Sequence, residues 1–162
     1  MRAVRTIVLG TLLPLIAGAP PSGDAALAQA RGDVSVMALR NLEFENVLPG
    51  VVQAVAPGDP VSGKWLVQGD PNAQVVLAFP GLPATLSAGG DQIPITFAAT
   101  GASYCATDDP GSATPFDPAA GVSVPLSSSG QLIVWIGGIV DPPESAAAGT
   151  YSAAITLEVV YE

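Results

Sequence analysis

The last fourteen residues of the chain, GTYSAAITLEVVYE, alternate between two sets of side chains with a period of two. Side chains two residues apart lie on the same face of a β-strand, so each set occupies one face. The mostly apolar set is Tyr151, Ala153, Ile155, Leu157, Val159 and Tyr161, and the other set is Thr150, Ser152, Ala154, Thr156, Glu158 and Val160. The pattern predicts one strand over residues 150–161 that covers a core with the first face and meets water or a partner with the second.

Glycine and proline interrupt short apolar runs along the rest of the chain, which contains 18 Gly and 16 Pro. This rhythm is typical of an all-β sandwich or barrel, and no helix of useful length is predicted. An exposed loop is predicted over residues 107–120, where Asp, Pro, Gly, Ser and Thr displace apolar residues. The predicted strands are residues 34–44, 51–55, 64–67, 74–79, 84–86, 93–98, 122–126, 132–136 and 150–161.

The first thirty residues have the pattern of a signal peptide. Arg2 and Arg5 precede an apolar run, and Ala28-Gln29-Ala30 is the small-x-small site that signal peptidases accept. The apolar run is shorter than the roughly twenty residues that a membrane-spanning helix needs. We therefore expect a signal peptide at residues 1–30, one β-sandwich domain at residues 31–162 and no membrane span. The expected location is the periplasm, the cell surface or the extracellular space.

Composition excludes several classes of function. The chain has 5 Lys+Arg against 14 Asp+Glu, a formal net charge of −9, so a nucleic-acid partner is not expected. Histidine is absent, which removes Ser-His-Asp and Cys-His catalysis and the usual zinc ligand sets. We therefore predict a protein that is not an enzyme, with no catalytic residue, no metal site and no cofactor.

Three smaller features each allow two interpretations. Cys105 has no partner for an internal disulfide, so its thiol is either buried or exposed and able to join two chains. The indoles of Trp65 and Trp135 either fill the space between sheets or form a platform for stacking sugars. The acidic loop at residues 107–120 is either solvated or holds a calcium ion through Asp108, Asp109 and Asp117.

Five segments of the chain resemble, in order and spacing, an exported bacterial family called domain of unknown function 4402. That family in turn is similar to spore coat protein U and to the chaperone–usher pilins. The match covers essentially the whole mature chain, and it implies an immunoglobulin-like, pilin-like antiparallel β-sandwich. The segments are Leu42-Glu43-Phe44, Val47-Leu48-Pro49-Gly50, the run from Lys64 to Ala73, the run from Gly130 to Gly138 and the run from Gly149 to Tyr161.

The resemblance also implies how such a protein acts. Pilins end in an alternating strand with a glycine fourteen places from the end and a penultimate tyrosine, the places that Gly149 and Tyr161 occupy here. A periplasmic chaperone binds that strand, which then borders a groove filled by another subunit's N-terminal extension. The candidate donor strand here is Val34, Val36 and Ala38, and the candidate assembly residues are Gly149, Tyr151, Ile155, Leu157, Val159 and Tyr161.

Two functions remain open at the level of sequence. The first is a structural protein, a fimbrial or surface-coat-like subunit that assembles with copies of itself by β-strand addition, with a periplasmic chaperone as a second partner. The second is a self-complete monomeric sandwich that binds a glycan or a protein. A strand over residues 34–44 that completes its own sandwich explains the N-terminal pattern without any partner.

Overall fold

Glycines and prolines divide the chain into short antiparallel strands, none longer than six residues in the part of the chain that the structure describes. The structure is a computed structural model that describes residues 32–88 and 90–162, so the predicted signal peptide at residues 1–30 lies outside the described residues. The strands are β1 (Ser35–Arg40), β2 (Glu43–Val47), β3 (Gln53–Val55), β4 (Gly63–Gln68), β5 (Gln74–Ala78), β6 (Thr85–Ala88), β7 (Asp91–Thr96), β8 (Ala102–Cys105), β9 (Thr114–Phe116), β10 (Val122–Pro125), β11 (Gln131–Ile136), β12 (Gly138–Val140), β13 (Gly149–Ser152) and β14 (Glu158–Tyr161).

The first core lies between a five-stranded sheet, in the order β1-β4-β11-β8-β9, and a three-stranded sheet, in the order β10-β5-β14. Alternation places one face of each strand inside: Trp65 and Val67 of β4 face Val75 and Leu77 of β5 within one apolar cluster. All ladders are antiparallel, as the register of each pair shows. The predicted all-β antiparallel sandwich is therefore confirmed.

The second core belongs to a six-stranded sheet in the order β2-β13-β6-β7-β12-β3. Its strands contribute one apolar cluster, and its two terminal strands, β2 and β3, come within contact distance of each other. A sheet whose ends meet around a single cluster must be curved. The buried members of this cluster are Leu42, Phe44, Val47, Leu86, Ile93, Ile95, Val140 and Tyr151.

Two predicted strands are each divided between two sheets. The single strand expected at residues 34–44 is wrong, because the chain breaks at Asn41 and Leu42 and the Leu42 side chain turns into the second core. The strand expected at residues 150–161 is β13 and β14, and residues 153–157 between them belong to no ladder. Both breaks occur where the chain passes from one sheet to another, which side-chain alternation alone does not reveal.

The prediction of an exposed loop over residues 107–120 is wrong for its second half. A short 3₁₀-helix, Pro110–Ser112, leads into β9, whose Phe116 is buried in the first core. The Phe116 ring stacks on Phe79 with ring centroids 6.3 Å apart and lies 6.0 Å from the ring of Tyr104. Burial of Phe116 therefore brings an otherwise polar segment into the sandwich. β8, the strand that pairs with β9, was also not predicted.

Candidate functional site: the C-terminal edge strand

The C-terminal strand runs across both cores. Tyr151 of β13 is buried in the second core, while Leu157 and Val159 are buried in the first. Between them Ile155 packs against both clusters although its backbone belongs to no ladder. All members of the predicted inward set are buried or half-buried, and all members of the outward set are exposed. The predicted facing of residues 150–161 is therefore correct.

Two tyrosines of this strand are fixed by hydrogen bonds through their hydroxyl groups. The Tyr151 hydroxyl donates to the carbonyl oxygen of Ala147 at 2.8 Å. The Tyr161 hydroxyl accepts from the backbone N–H of Asp70 at 2.8 Å, which ties the end of β14 to the turn before β5. Both residues thus stabilise the fold of a single chain, whatever else they contact.

Gly149 has no need to be glycine in the isolated chain. A Cβ at this position would meet nothing within 4 Å, and its φ does not fall in the left-handed region. It pairs with Val47 where the β13–β2 register shifts around a bulge, in which Asn46 takes a φ of 52°. An open position beside a bulge leaves room for another backbone to approach.

β14 forms the outer edge of the three-stranded sheet in the part of the chain that the structure describes. Glu162 N–H donates to Gln74 on β5, so the alternating backbone groups of Glu158 and Val160 also point toward β5. The N–H and C=O of Val159 consequently point to the uncovered side. The outward side chain of Val160 is 47% exposed, so this strand also presents an apolar side chain to solvent.

β1 is the neighbour of β14 across this edge, with Cα atoms of the two strands within 8 Å. Val36 of β1 lies opposite Val67 and Ala38 opposite Trp65, so both face the core side of their sheet. They are nevertheless exposed, Val36 by 38%, because no described strand covers them. We call these uncovered parts of β1 and β14 the β1–β14 seam.

The seam also contains apolar residues that the sequence analysis did not select. Met37 and Leu39 point to the opposite face of β1 from Val36 and are both exposed. The signal for them was present, because residues 36–39 are apolar on both faces rather than on one. Such a pattern is typical of a strand that is buried on both sides or that meets a partner.

Within the single chain, β1 is paired and anchored at both ends. It pairs with β4 over most of its length, and Gly32 N–H donates to the Asp70 carboxylate at 2.9 Å. At its other end, the Arg40 guanidinium donates to the carbonyl oxygens of Asp59 and Ser62, both at 2.7 Å. The candidate donor residues Val36 and Ala38 thus lie in a strand of their own sheet, and half-buried Val34 packs against the first core beside it. Donation to another subunit stays a prediction.

The acidic loop uses its carboxylates to hold its own backbone. Asp109 accepts from Gly111 N–H and the Ser112 hydroxyl, and Asp117 accepts from Ala119 N–H. Asp108 forms an ion pair with Lys64. The described residues bring no three His, Cys, Asp or Glu side chains together as a metal group.

The thiol and the indoles have defined environments. Cys105 is half-buried, with its Sγ 3.6 Å from the Thr107 hydroxyl. Trp65 fills the first core, which agrees with the first of its two interpretations. Trp135 is 1% exposed but pairs with Lys64 and Ser103, so it lies on the outer face of β11 rather than between the sheets. Neither indole offers an open face for stacking a sugar.

Comparison of the chain with family models, with curated proteins and with solved structures finds no match. Among the described residues, no helix is long and apolar enough to cross a membrane.

Proposed function

We propose that this chain is an exported, non-enzymatic structural protein that assembles by β-strand addition at the β1–β14 seam. Copies of the chain would form a fimbrial or surface-coat-like polymer, with a periplasmic chaperone holding the seam before assembly. The signal-peptide pattern at residues 1–30 supports export to the periplasm, the cell surface or beyond. The resemblance to pilin-like families supports the mode of assembly.

One observation carries this proposal: Val36 faces the core side of its sheet and remains exposed beside the outward backbone groups of Val159, in the edge strand of the described three-stranded sheet. A strand added along β14 would pair with the outward backbone groups of Val159 and cover Val36 at the same time. Complete burial of a valine side chain gains about 1.5–3 kcal/mol, so covering the 38% of Val36 that is exposed gains roughly a third of that, and backbone pairing adds to it. An uncovered strand edge next to uncovered apolar side chains is the usual template for strand addition.

The immunoglobulin-like subclass of the sandwich is part of the same proposal. Its support is the Tyr151 hydroxyl, which bonds to the backbone four residues upstream, at Ala147. Immunoglobulin-like sandwiches contain a tyrosine near the start of a late strand with a hydrogen bond of this kind. The position of Tyr151 at the start of the C-terminal strand fits that arrangement.

The alternative function is a self-complete monomeric sandwich that binds a glycan or a protein. The pairing of β1 with β4 and the bonds of Arg40 favour it, because they complete the five-stranded sheet without a partner. The buried indoles argue against stacking of a glycan on tryptophan, which leaves a protein ligand as the better version of this alternative.

Light scattering on the exported, purified protein separates the two functions. The proposal predicts a molar mass that rises with concentration, and Val160→Lys should abolish the rise because a lysine on an edge strand blocks pairing. Val52→Lys is the matched control, since Val52 is 59% exposed in a turn of the second core, away from the seam. A wild-type protein that stays monomeric at every concentration would contradict the proposal and support the alternative.

A further inference from the structure

The five-stranded sheet has a second face, which is turned away from the first core. The residues on either side of Leu66 along β4 are buried in that core, so the Leu66 side chain points outward. Directly opposite residues of neighbouring strands share a face, and the register therefore defines one outward row across four strands. We call it the Met37–Cys105 row: Met37 of β1, Leu66 of β4, Ile133 of β11 and Cys105 of β8.

The row is open to solvent at its β1 end. Met37 is 56% exposed, and Leu39, two residues further along the same face of β1, is 47% exposed. Leu66, the neighbour of Met37 on β4, is half-buried, as is Cys105 at the other end of the row. Two adjacent strands thus present large apolar side chains to water on the side away from the core.

Three neighbouring strands of this sheet are apolar on both faces. The runs are residues 36–39 of β1, 65–67 of β4 and 132–136 of β11. A sheet with one wet face normally alternates apolar and polar residues, whereas continuous apolar runs are typical of strands covered on both sides. At β11 the chain supplies such cover itself, because the Lys64 ammonium lies 6.0 Å from the centroid of the Trp135 ring. Within residues 32–88 and 90–162, the outer side of β1 has no equivalent cover, as the exposure of Met37 shows.

This sheet is also the neutral part of an acidic protein. Its five strands contain no Asp or Glu, although the whole chain has 14. The two cations of these strands are already bonded, Arg40 to the carbonyl oxygens of Asp59 and Ser62, and Lys64 to the Asp108 carboxylate. The polar side chains next to the row are uncharged: Ser35, Gln68 and Gln131.

A second copy of the chain fits such a face. Two copies with a formal net charge of −9 each repel one another wherever their carboxylates approach. Contact through the acid-free strands brings the copies together where this repulsion is smallest. A two-fold axis then lays the same apolar surface of both copies against itself, so the face is its own complement. A basic protein, by contrast, finds no strand carboxylate to pair with here.

We infer that two copies of the chain pack the outer faces of their five-stranded sheets together, so that each copy covers Met37, Leu39 and Leu66 of the other. Apolar sheet faces pack in this way about 10 Å apart in sandwiches. The row spans four strands, about 14 Å from end to end, a size that suits a weak and reversible dimer. This contact goes beyond strand addition at the seam and does not depend on it, because it uses the opposite face of β1 from Val36.

Sedimentation equilibrium of the exported Val160→Lys protein tests the dimer, since this substitution blocks strand addition at the seam. The measurements start from concentrations at which the variant is a monomer and continue upward. The molar mass is expected to rise and to level off at twice that of one chain. Added salt should strengthen the association, because it screens the repulsion between acidic copies. A molar mass that stays that of one chain at every concentration and salt would overturn the inference.

Two substitutions within the face should weaken this dimer. Met37→Glu and Gln68→Glu, each added to Val160→Lys, should raise the dissociation constant about tenfold or more, because they bring carboxylates of the two copies together. Gln68→Glu keeps the size of an exposed side chain, so an unchanged melting temperature is expected. Ile139→Glu is the matched control, since Ile139 is an exposed apolar residue of β12 in the six-stranded sheet. Unchanged dimerisation of both face variants would contradict the assigned contact.

The Cys105 thiol reports where the copies meet. It is half-buried in the single chain and lies in the row, so dimerisation of the Val160→Lys protein should slow its alkylation by iodoacetamide. The rate should not depend on concentration in the variant that also carries Met37→Glu. Alkylation that dimerisation leaves unchanged would place the contact on another surface and overturn the inference.

Discussion

At the scale of single residues, Gly130 in the turn before β11 and Gly149 in β13 have opposite requirements. Gly130 takes a φ of +73°, and a Cβ there would collide with the Gly69 carbonyl oxygen. Gly149 has an ordinary φ and open space around its Cα. Only the first glycine is therefore demanded by the fold of one chain. A need for glycine at position 149 would have to come from a partner.

Replacement of these glycines by alanine should consequently give opposite results. Gly149→Ala is expected to leave the free energy of unfolding unchanged or to raise it by about 0.4–1 kcal/mol, because alanine restricts the unfolded chain. Gly130→Ala should lower it by more than about 1 kcal/mol, since its conformation and its space both exclude a side chain. Urea unfolding measures both. A large loss of stability in Gly149→Ala would contradict the open environment described for this position.

The three tyrosines provide a matched set for testing hydroxyl bonds. Tyr151→Phe and Tyr161→Phe each remove a hydrogen bond to the backbone, so each should lower the free energy of unfolding by about 0.5–1.5 kcal/mol. Tyr104→Phe is the control, because its ring packs in the first core without a hydrogen bond from its hydroxyl to any described residue. Equal losses in all three variants would show that the hydrogen bonds of the Tyr151 and Tyr161 hydroxyls do not set the effect, because Tyr104 has no such bond to lose among the described residues.

At the scale of elements, the sequence predicted which face of a strand is buried better than it predicted which sheet the strand joins. The alternation from Tyr151 to Tyr161 correctly separates buried from exposed side chains, because burial depends only on which side of the backbone a residue lies. It could not show that β13 and β14 pair in different sheets, since hydrogen-bond partners come from distant segments. For the same reason, side-chain alternation did not predict the break at Asn41 or the burial of Phe116 in an otherwise polar segment.

Prediction of the candidate site was limited in the same way. β14 is an edge strand and Val36 is exposed because no described strand lies beside them. A local sequence pattern does not show which strands will become neighbours in a sheet. The separation of β2 from β3 was not predicted for a related reason. The connection at residues 48–52 looks like a hairpin turn, whereas β2 pairs with β13 and β3 with β12, so the two strands lie at opposite ends of the sheet order.

The C-terminal strand supplies a direct test of the predicted facing. Leu157→Asp should prevent accumulation of soluble protein, because it places an unpaired charge in the first core. Thr156→Asp is the control, since this neighbouring side chain is exposed and should tolerate a charge with a change of less than about 0.5 kcal/mol. Yield after export and the melting temperature are the measurements. Normal yield of Leu157→Asp would show that the assigned face is wrong.

At the scale of the whole molecule, the two cores are joined through shared side chains. Phe97 and Ile155 each pack against both apolar clusters. Loss of either core therefore removes contacts from the other, which favours one cooperative unfolding transition.

Native-state hydrogen exchange can verify this cooperativity. The amides of Leu77 in the first core and Ile93 in the second should report the same free energy of opening, close to that of global unfolding. Ile155→Ala is expected to lower both values together. A clearly smaller value at Ile93, with Leu77 unchanged, would show that the second core opens by itself.

The course of the last strand across both cores sets the order of events during synthesis. Residues 150–161 are made after every other strand described here, yet they supply Tyr151 to one core and Leu157 and Val159 to the other. Hairpins such as β6–β7 can form while the chain is still growing, but neither core can close before residue 161 has emerged. A chain that terminates before residue 150 is left with two open apolar surfaces, so quality-control proteases can distinguish it from a finished one.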